Sequence, residues 1–309
     1  MAIPRGGALT ILFVMPLFFS SNLVFGRAAI DEVGPFTLAF LRWSLTALVL
    51  AVVGRAALVA HGAALRRLSA RWFAMAFLGM WVCGALVYWA LVHTTATNGT
   101  LIYTASPVLI VVIEGFRGRR VANREIAGIA LAIVGIVAIV ARGRLDALFS
   151  LGFNVGDLVF VATAVSWAAY SVLLKAKCVQ AVPTVASFCV LSAAGAILLL
   201  PFAVLEWPHA GVPVTTAAWW QVAGIVVFSS LLPFSAYQMG VRVVGPSLTG
   251  VFLYLLPVYG VAMAVLFLGE ELRTFHVAGI TLVLGGVVLA TFPTSALSRV
   301  KARRGMSAP

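Results

Sequence analysis

The groups able to do chemistry in this sequence are sparse, and the informative ones stand inside long apolar runs. Trp167 and Tyr170 are three apart, so on a helix they share one face. Tyr88, Tyr103, Tyr237, Gln238 and Tyr254 are set singly or in pairs in other runs, and Asn22 closes a Ser20-Ser21-Asn22 triplet. A tyrosine offers a flat apolar face and one hydroxyl, and a buried asparagine asks for up to four hydrogen bonds. Side chains of these types can recognise a small amphipathic molecule. The spacing therefore predicts a substrate-binding set of Asn22, Tyr88, Tyr103, Trp167, Tyr170, Tyr237, Gln238 and Tyr254. All but Gln238 have a plainer alternative: an interhelical bond for Asn22, core packing for Trp167 and Tyr170, and anchoring at the membrane interface for the other tyrosines.

Catalysis would need acids, bases or nucleophiles clustered within reach of one another. His61, His93, His209 and His276 fall in connections or at run ends, and neither HExxH nor GxSxG occurs. Cys83, Cys178 and Cys189 are too few and too scattered for a disulfide framework or a zinc site. No catalytic residue, no metal site and no cofactor is expected, and a membrane-embedded enzyme is the weaker class. An ion channel would want a ring of charge or a filter loop, and neither is visible. Asp31, Glu32, Asp146, Glu206, Glu270 and Glu271 fall in connections, while Asp157, Glu114 and Glu125 mark run ends. No carboxylate stands at mid-depth, where a proton-coupled exporter of cations needs one. That leaves uniport, or coupling through an unidentified group.

The elements that must position these residues follow from composition. Of 309 residues, 62% are hydrophobic and 10% are charged, against about a quarter charged in a soluble domain. The solvent is mostly lipid. A net charge of +12 reads as topology-setting loops rather than a nucleic-acid surface, so the expected partners are the bilayer and a small-molecule substrate. A span needs about 20 apolar residues, and the sequence offers candidates at 8–27, 35–54, 72–92, 98–116, 125–142, 156–175, 184–205, 217–239, 247–268 and 276–293. The first is read as an uncleaved helix, and 295–309 as a basic tail. The runs are too long, and too little alternating, for barrel strands. Lysine and arginine concentrate in alternate connections (Arg55, Arg66, Arg67 and Arg71; Arg117, Arg119, Arg120 and Arg124; Lys175 and Lys177) and thin out at Arg27, Arg142, Arg144 and Arg273. Both termini are expected in the cytoplasm.

The chain also says the same thing twice. Arg27 and Pro35 precede Lys175 and Pro183 by 148 positions, Pro107 precedes Pro257 by 150, and Ala127-Gly128-Ile129 precedes Ala278-Gly279-Ile280 by 151. Five spans per half is an odd number, so the second copy must be inverted. Such repeats build secondary transporters whose site lies near the midplane. The expected architecture is all-α: ten transmembrane helices in two inverted repeats, 1–148 and 149–294, around a central cavity, followed by the tail. Pro107 and Pro257, mid-span and related by the repeat, are candidate hinges, with a fixed kink as the alternative. Glycines at Gly128, Gly135, Gly279 and Gly286 predict close packing of spans five and ten, with a dimer contact as one use. Arg42, the one full charge well inside a span, should snorkel or pair with a carboxylate or carbonyls; attraction of a substrate carboxylate is the alternative.

Arg42 in its Leu41-Arg42-Trp43 setting, the Pro-centred fourth and ninth spans, Gly269-Glu270-Glu271 and the glycine-rich tenth span together resemble the drug/metabolite transporter superfamily. The EamA-type exporters are the nearest match, over about residues 8–293, and among them the sequence looks most like bacterial exporters of aromatic and other hydrophobic amino acids. The resemblance implies a ten-helix basket in a bacterial inner membrane, monomeric or weakly dimeric, whose central cavity opens alternately to either side. Other metabolites, nucleosides or cationic drugs are the alternative cargo.

Overall fold

The protein's structure, a computed structural model, describes residues 4–29, 32–94, 99, 102–141, 154–208, 212–268 and 271–291. The 295–309 tail, the 148/149 boundary, Asp31, Asp146, His209, Arg142, Arg144 and Glu270 lie outside the described residues. All regular structure within them is helical. Lipid offers no partner to a free N–H or C=O, so apolar runs of this length close their hydrogen bonds internally.

The elements run α1 (Arg5–Ala29), α2 (Pro35–Val53), α3 (Arg55–Ala60), α4 (Gly62–Arg67), and α5 (Ser69–Ala76), which passes through a π-helical stretch at Phe77–Leu86 into α6 (Val87–His93). Then come α7 (Ala105–Phe116), α8 (Asn123–Val140), α9 (Val155–Leu173), α10 (Lys177–Gln180) and α11 (Thr184–Glu206). α12 (Thr216–Gly224) continues through a second π-helical stretch, Ile225–Leu231, into α13 (Leu232–Val244). α14 (Pro246–Val251) continues through a 3₁₀ stretch, Phe252–Leu255, into α15 (Leu256–Leu268), and α16 (Thr274–Thr291) closes the described chain. Eight of these helical stretches are long and apolar enough to cross a membrane, and Ala105–Phe116 is a shorter apolar one. α1 has 25 residues, about 37 Å at the helical rise. Large apolar side chains such as Val52, Phe116, Leu205, Trp220 and Leu266 face outward, as a lipid-facing surface requires. The connection after α2 holds the short α3 and α4.

The starts of the helices are legible in local chemistry. Pro35 opens α2 where a missing N–H costs nothing. At α9, Asn154 and Asp157 form a reciprocal capping box, and the Thr215 side chain caps α12.

Two helix pairs run alongside each other: α2 with α11, and α8 with α16. The second pair answers the expectation for the glycine-bearing helices: each is the other's close neighbour. A Cβ on Gly128 would stand 2.6 Å from the Gly286 carbonyl oxygen, and one on Gly135 would stand 2.6 Å from that of Gly279. Only glycine lets the two backbones approach this closely.

Pro107 and Pro257 each follow a break instead of interrupting a continuous helix. Proline gives no N–H to the carbonyl four residues earlier. For Pro107 that carbonyl is Tyr103, which accepts instead from Ser106 Oγ at 2.8 Å. For Pro257 it is Leu253, which accepts from the Leu256 N–H in 3₁₀ fashion.

Candidate functional site

The middle of α9 brings Trp167 and Tyr170 inward together, as their spacing predicts. Trp167 meets the ring of Tyr170 at 5.5 Å between centroids, Tyr237 at 4.9 Å and Phe234 at 5.6 Å. Phe19 of α1 packs edge-on to Trp167 and Phe234, and Trp43 of α2 packs edge-on to Phe234 at 5.0 Å. This aromatic cluster joins helices from both halves of the chain. Gly79, in the first π-helical stretch, makes room for it: a Cβ there would stand 2.8 Å from the Tyr170 ring. Ser171 shares a hydrogen bond with the Tyr237 hydroxyl at 2.6 Å.

The polar atoms around the cluster are incompletely satisfied. Trp167 Nε1, the Tyr170 hydroxyl, Gln238 Nε2 and the Tyr254 hydroxyl are buried without a hydrogen-bond partner. Gln238 lies beside the Tyr170 hydroxyl and the Trp167 indole beside the Tyr237 hydroxyl, close enough to interact electrostatically but short of hydrogen-bond geometry. A buried donor left unpaired costs about 1–3 kcal/mol, so each of these atoms calls for an explanation. Trp and Gln nitrogens only donate, and a tyrosine hydroxyl can. The set is suited to an acceptor-rich group such as a carboxylate. Tyr254 is fully buried but has no ring contact with the cluster among the described residues.

Asn22 and Tyr88 come together elsewhere. The Tyr88 hydroxyl donates to Asn22 Oδ1 at 2.8 Å and accepts from Arg42 Nη1 at 3.4 Å. Arg42 is 5% exposed. Its Nε donates to Ser230 Oγ at 2.6 Å and its Nη2 to the Ser229 carbonyl at 2.7 Å. That carbonyl is the one to which Pro233, four residues on, supplies no N–H. Of the three outcomes expected for Arg42, bonding to a carbonyl is the one found. The guanidinium also lies over Trp43 at 4.6 Å and Phe234 at 5.7 Å. Phe234 thus joins the polar group to the aromatic cluster. Tyr103 is half-buried and within electrostatic range of both Arg42 and Tyr237.

Sequence reasoning missed Phe19, Trp43, Phe234, Ser229 and Ser230. The phenylalanines carry no signal in a chain with 20 of them. The serines could have been found from their place just before Pro233. Among the described residues no group of three or more His, Cys, Asp or Glu could hold a metal ion.

At the end of the bundle reached by α1, carboxylates tie helices together. Glu206 accepts from the Thr37 N–H at 2.7 Å and its hydroxyl at 2.9 Å. Glu32 accepts from the Val214 and Thr215 N–H groups at 2.9 Å each and from the Thr215 hydroxyl at 2.7 Å. The Thr215 N–H and hydroxyl, then the Val214 N–H, hold the Glu32 carboxyl below the usual carboxylate range.

The EamA-like transporter family model matches the chain twice, over residues 6–141 and 154–292. The chain is 24% identical to "Uncharacterized transporter YyaM" of Bacillus subtilis over 288 residues, 91% of this chain and 93% of the relative. It is 25% identical to "Aromatic amino acid exporter YddG" of Ancylobacter novellus over 297 residues, 93% of this chain and 98% of the relative. It is 27% identical to "Probable amino-acid metabolite efflux pump" of Salmonella typhimurium over 181 residues, 56% of this chain and 59% of the relative. A solved crystal structure matches with a TM-score of 0.78 at 23% identity, covering 96% of this chain and 99% of its own. At that identity the likeness shows the fold.

Proposed function

We propose a function on the premise that the chain belongs to the EamA-like transporter family: this multi-pass membrane transporter exports small amphipathic metabolites, aromatic and other hydrophobic amino acids first among them. The observation that carries the substrate class is the aromatic cluster with its unpartnered Trp167 Nε1, Tyr170 hydroxyl and Gln238 Nε2. Rings bind the apolar body, and spare donors bind the carboxylate. In this conformation the rings pack on one another, so a substrate enters by replacing ring contacts. The names of the exporter and efflux-pump relatives point the same way. Export of cationic drugs is the weaker reading, because the carboxylates Glu114, Glu125, Glu206 and Asp157 all stand at helix ends.

The mechanism that fits is alternating access by two inverted five-helix repeats, with ten crossings in all. Three observations support the duplication. The family model matches each half. The two π-helical stretches begin at Phe77 and Ile225, 148 residues apart. The pairs α2 with α11 and α8 with α16 are the ones a five-helix repeat equates. The end carrying Arg5, Arg119, Arg124 and Arg242 is then cytoplasmic in a bacterial inner membrane.

Counterflow in proteoliposomes across a panel of amino acids, nucleosides and cationic drugs tests the reading. Aromatic amino acids should exchange fastest, and Trp167→Ala or Tyr170→Ala should lower that flux at least about tenfold in protein that remains folded. Unchanged flux in both variants removes the lining assignment. Hydrolysis or group transfer without flux removes the transporter reading for this substrate class.

A further inference from the structure

At the end of the bundle where α1 begins, a cavity of about 280 Å³ opens among Arg5, Glu114, Arg119, Arg124, Glu125, Ser247 and the turn from Val244 to Leu248. It is separate from the aromatic cluster. Its charges are only partly spent. Arg119 forks onto Glu125 at 2.6 and 3.1 Å, which neutralises both. Arg124 gives Nε and Nη2 to the Leu289 carbonyl, and its Nη1 has no hydrogen-bond partner among the described residues. Arg5 has no hydrogen-bond partner among the described residues. Among the described residues the pocket thus holds two cations with unused donors, Arg5 and Arg124, against one unpaired carboxylate, Glu114.

A second feature points to a ligand. Ser247 is 3% exposed, lines this cavity, and its hydroxyl has no hydrogen-bond partner. Arg119 Nε is buried without one as well. Unpaired buried donors beside unspent guanidiniums are what an oxyanion would complete, since guanidinium geometry matches phosphate oxygens. The wall also carries apolar surface from Val244, Leu248 and Ala290, and the cavity has room for more than a bare anion. It lies at the helix ends, where lipid headgroups lie.

We propose that this pocket is a binding site for a phosphate group, presented either by a phospholipid headgroup or by a soluble phosphate ester. Arg124 and Arg5 supply charge, the Ser247 hydroxyl and Arg119 Nε supply buried donors, and Glu114 opposes the anion. The site requires nothing of the transported substrate and stands or falls apart from the export reading.

The test uses the full chain, purified in detergent. Thermal stabilisation is titrated with phosphatidylglycerol, with phosphatidylcholine, and separately with glycerol 3-phosphate and inorganic phosphate. Arg124→Gln and Ser247→Ala should each weaken the apparent affinity at least about tenfold. Glu114→Gln should tighten it, an opposite sign that general loss of structure does not produce. Stabilisation by either phospholipid but not by glycerol 3-phosphate or inorganic phosphate assigns the site to a headgroup; stabilisation by either soluble phosphate assigns it to a cytoplasmic phosphate compound. No stabilisation by any of them, or equal affinity in wild type and all three variants, overturns the proposal.

Discussion

Replacing Arg42 with methionine separates a structural guanidinium from a substrate-binding one. Methionine keeps the length and apolar bulk and loses every donor. In the wild type the two short bonds run to Ser230 Oγ at 2.6 Å and the Ser229 carbonyl at 2.7 Å. Interhelical hydrogen bonds of this kind contribute about 1–2 kcal/mol each at their strong end, and the contact over Trp43 about 1 kcal/mol more. Relief from burying a cation offsets part of this loss, so the net destabilisation is set at about 2 kcal/mol. The loss is concentrated on one atom. Ser230 keeps its bond to the Ile225 carbonyl and Tyr88 keeps Asn22, but the Ser229 carbonyl loses its Arg42 donor. Pro233→Ala supplies the missing N–H four residues on, and should recover about 1 kcal/mol. In the wild-type background the same change should do little, because Arg42 already holds that carbonyl. The assay is thermal or denaturant unfolding in detergent of the two single variants and the double variant, read as a coupling energy. An Arg42→Met protein as stable as wild type refutes the reasoning. So does an equal effect of Pro233→Ala in both backgrounds.

Three further outcomes are expected. Gly286→Val places a side chain where a Cβ already meets the Gly128 carbonyl oxygen at 2.5 Å; it should cost about 1–3 kcal/mol by overpacking, measured by the same unfolding assay, while Gly285→Val, whose nearest neighbour is the flexible Leu131 side chain at 3.6 Å, should cost less. Glu32 has a lowered folded pKa, so its stabilisation is complete above the unfolded value near 4.5 and fades as pH falls through the lower folded value; Glu32→Gln should flatten that acidic limb of the unfolding curve, and an unchanged limb would count against the Val214 and Thr215 contacts. Pro257→Ala should slow exchange in the counterflow assay without lowering stability, and full-speed exchange would remove Pro257 as a hinge.

Much of the fold was legible because lipid leaves the backbone few choices. Runs of apolar residues became helices, and Pro35, Asn154 and Thr215 opened them for reasons visible in their side chains. Trp167 and Tyr170 were legible as partners because a spacing of three puts two residues on one face. What was not legible depends on which helices meet. Gly128 and Gly286 announced close packing, but not that each is the other's neighbour. Asn22 and Tyr88 were both singled out, yet nothing in their spacing showed that they bond to each other beside Arg42. Phe234 joins the polar and aromatic groups, and one phenylalanine among many gives no sign of that. The π-helical stretches were invisible too: Phe77–Leu86 reads as ordinary helix until the Trp43 indole is seen donating to the Met80 carbonyl and Ser166 to that of Leu78.

Those carbonyls bear on how the bundle could move. Every break in a buried helix frees a backbone acceptor, and the donor that takes it decides whether the break can open. At Pro107 the freed Tyr103 carbonyl is held by Ser106, and at Pro257 the Leu253 carbonyl is held by Leu256. Both donors belong to the same stretch of chain, although at Pro257 the neighbouring Leu256 carbonyl also accepts from Ser20 Oγ of α1 at 3.1 Å. At Pro233 the freed Ser229 carbonyl is held by Arg42 of α2, and the two π-helical stretches are likewise pinned from other helices at Met80, Leu78 and Ser229. Bending at these points would strand a buried donor and acceptor together, at about 1–3 kcal/mol for each. The freed carbonyls at Pro107 and Pro257 are thus held from within their own stretch of chain, whereas the one at Ser229 ties α13 to α2, and the Pro257→Ala exchange rate decides whether that difference makes a hinge.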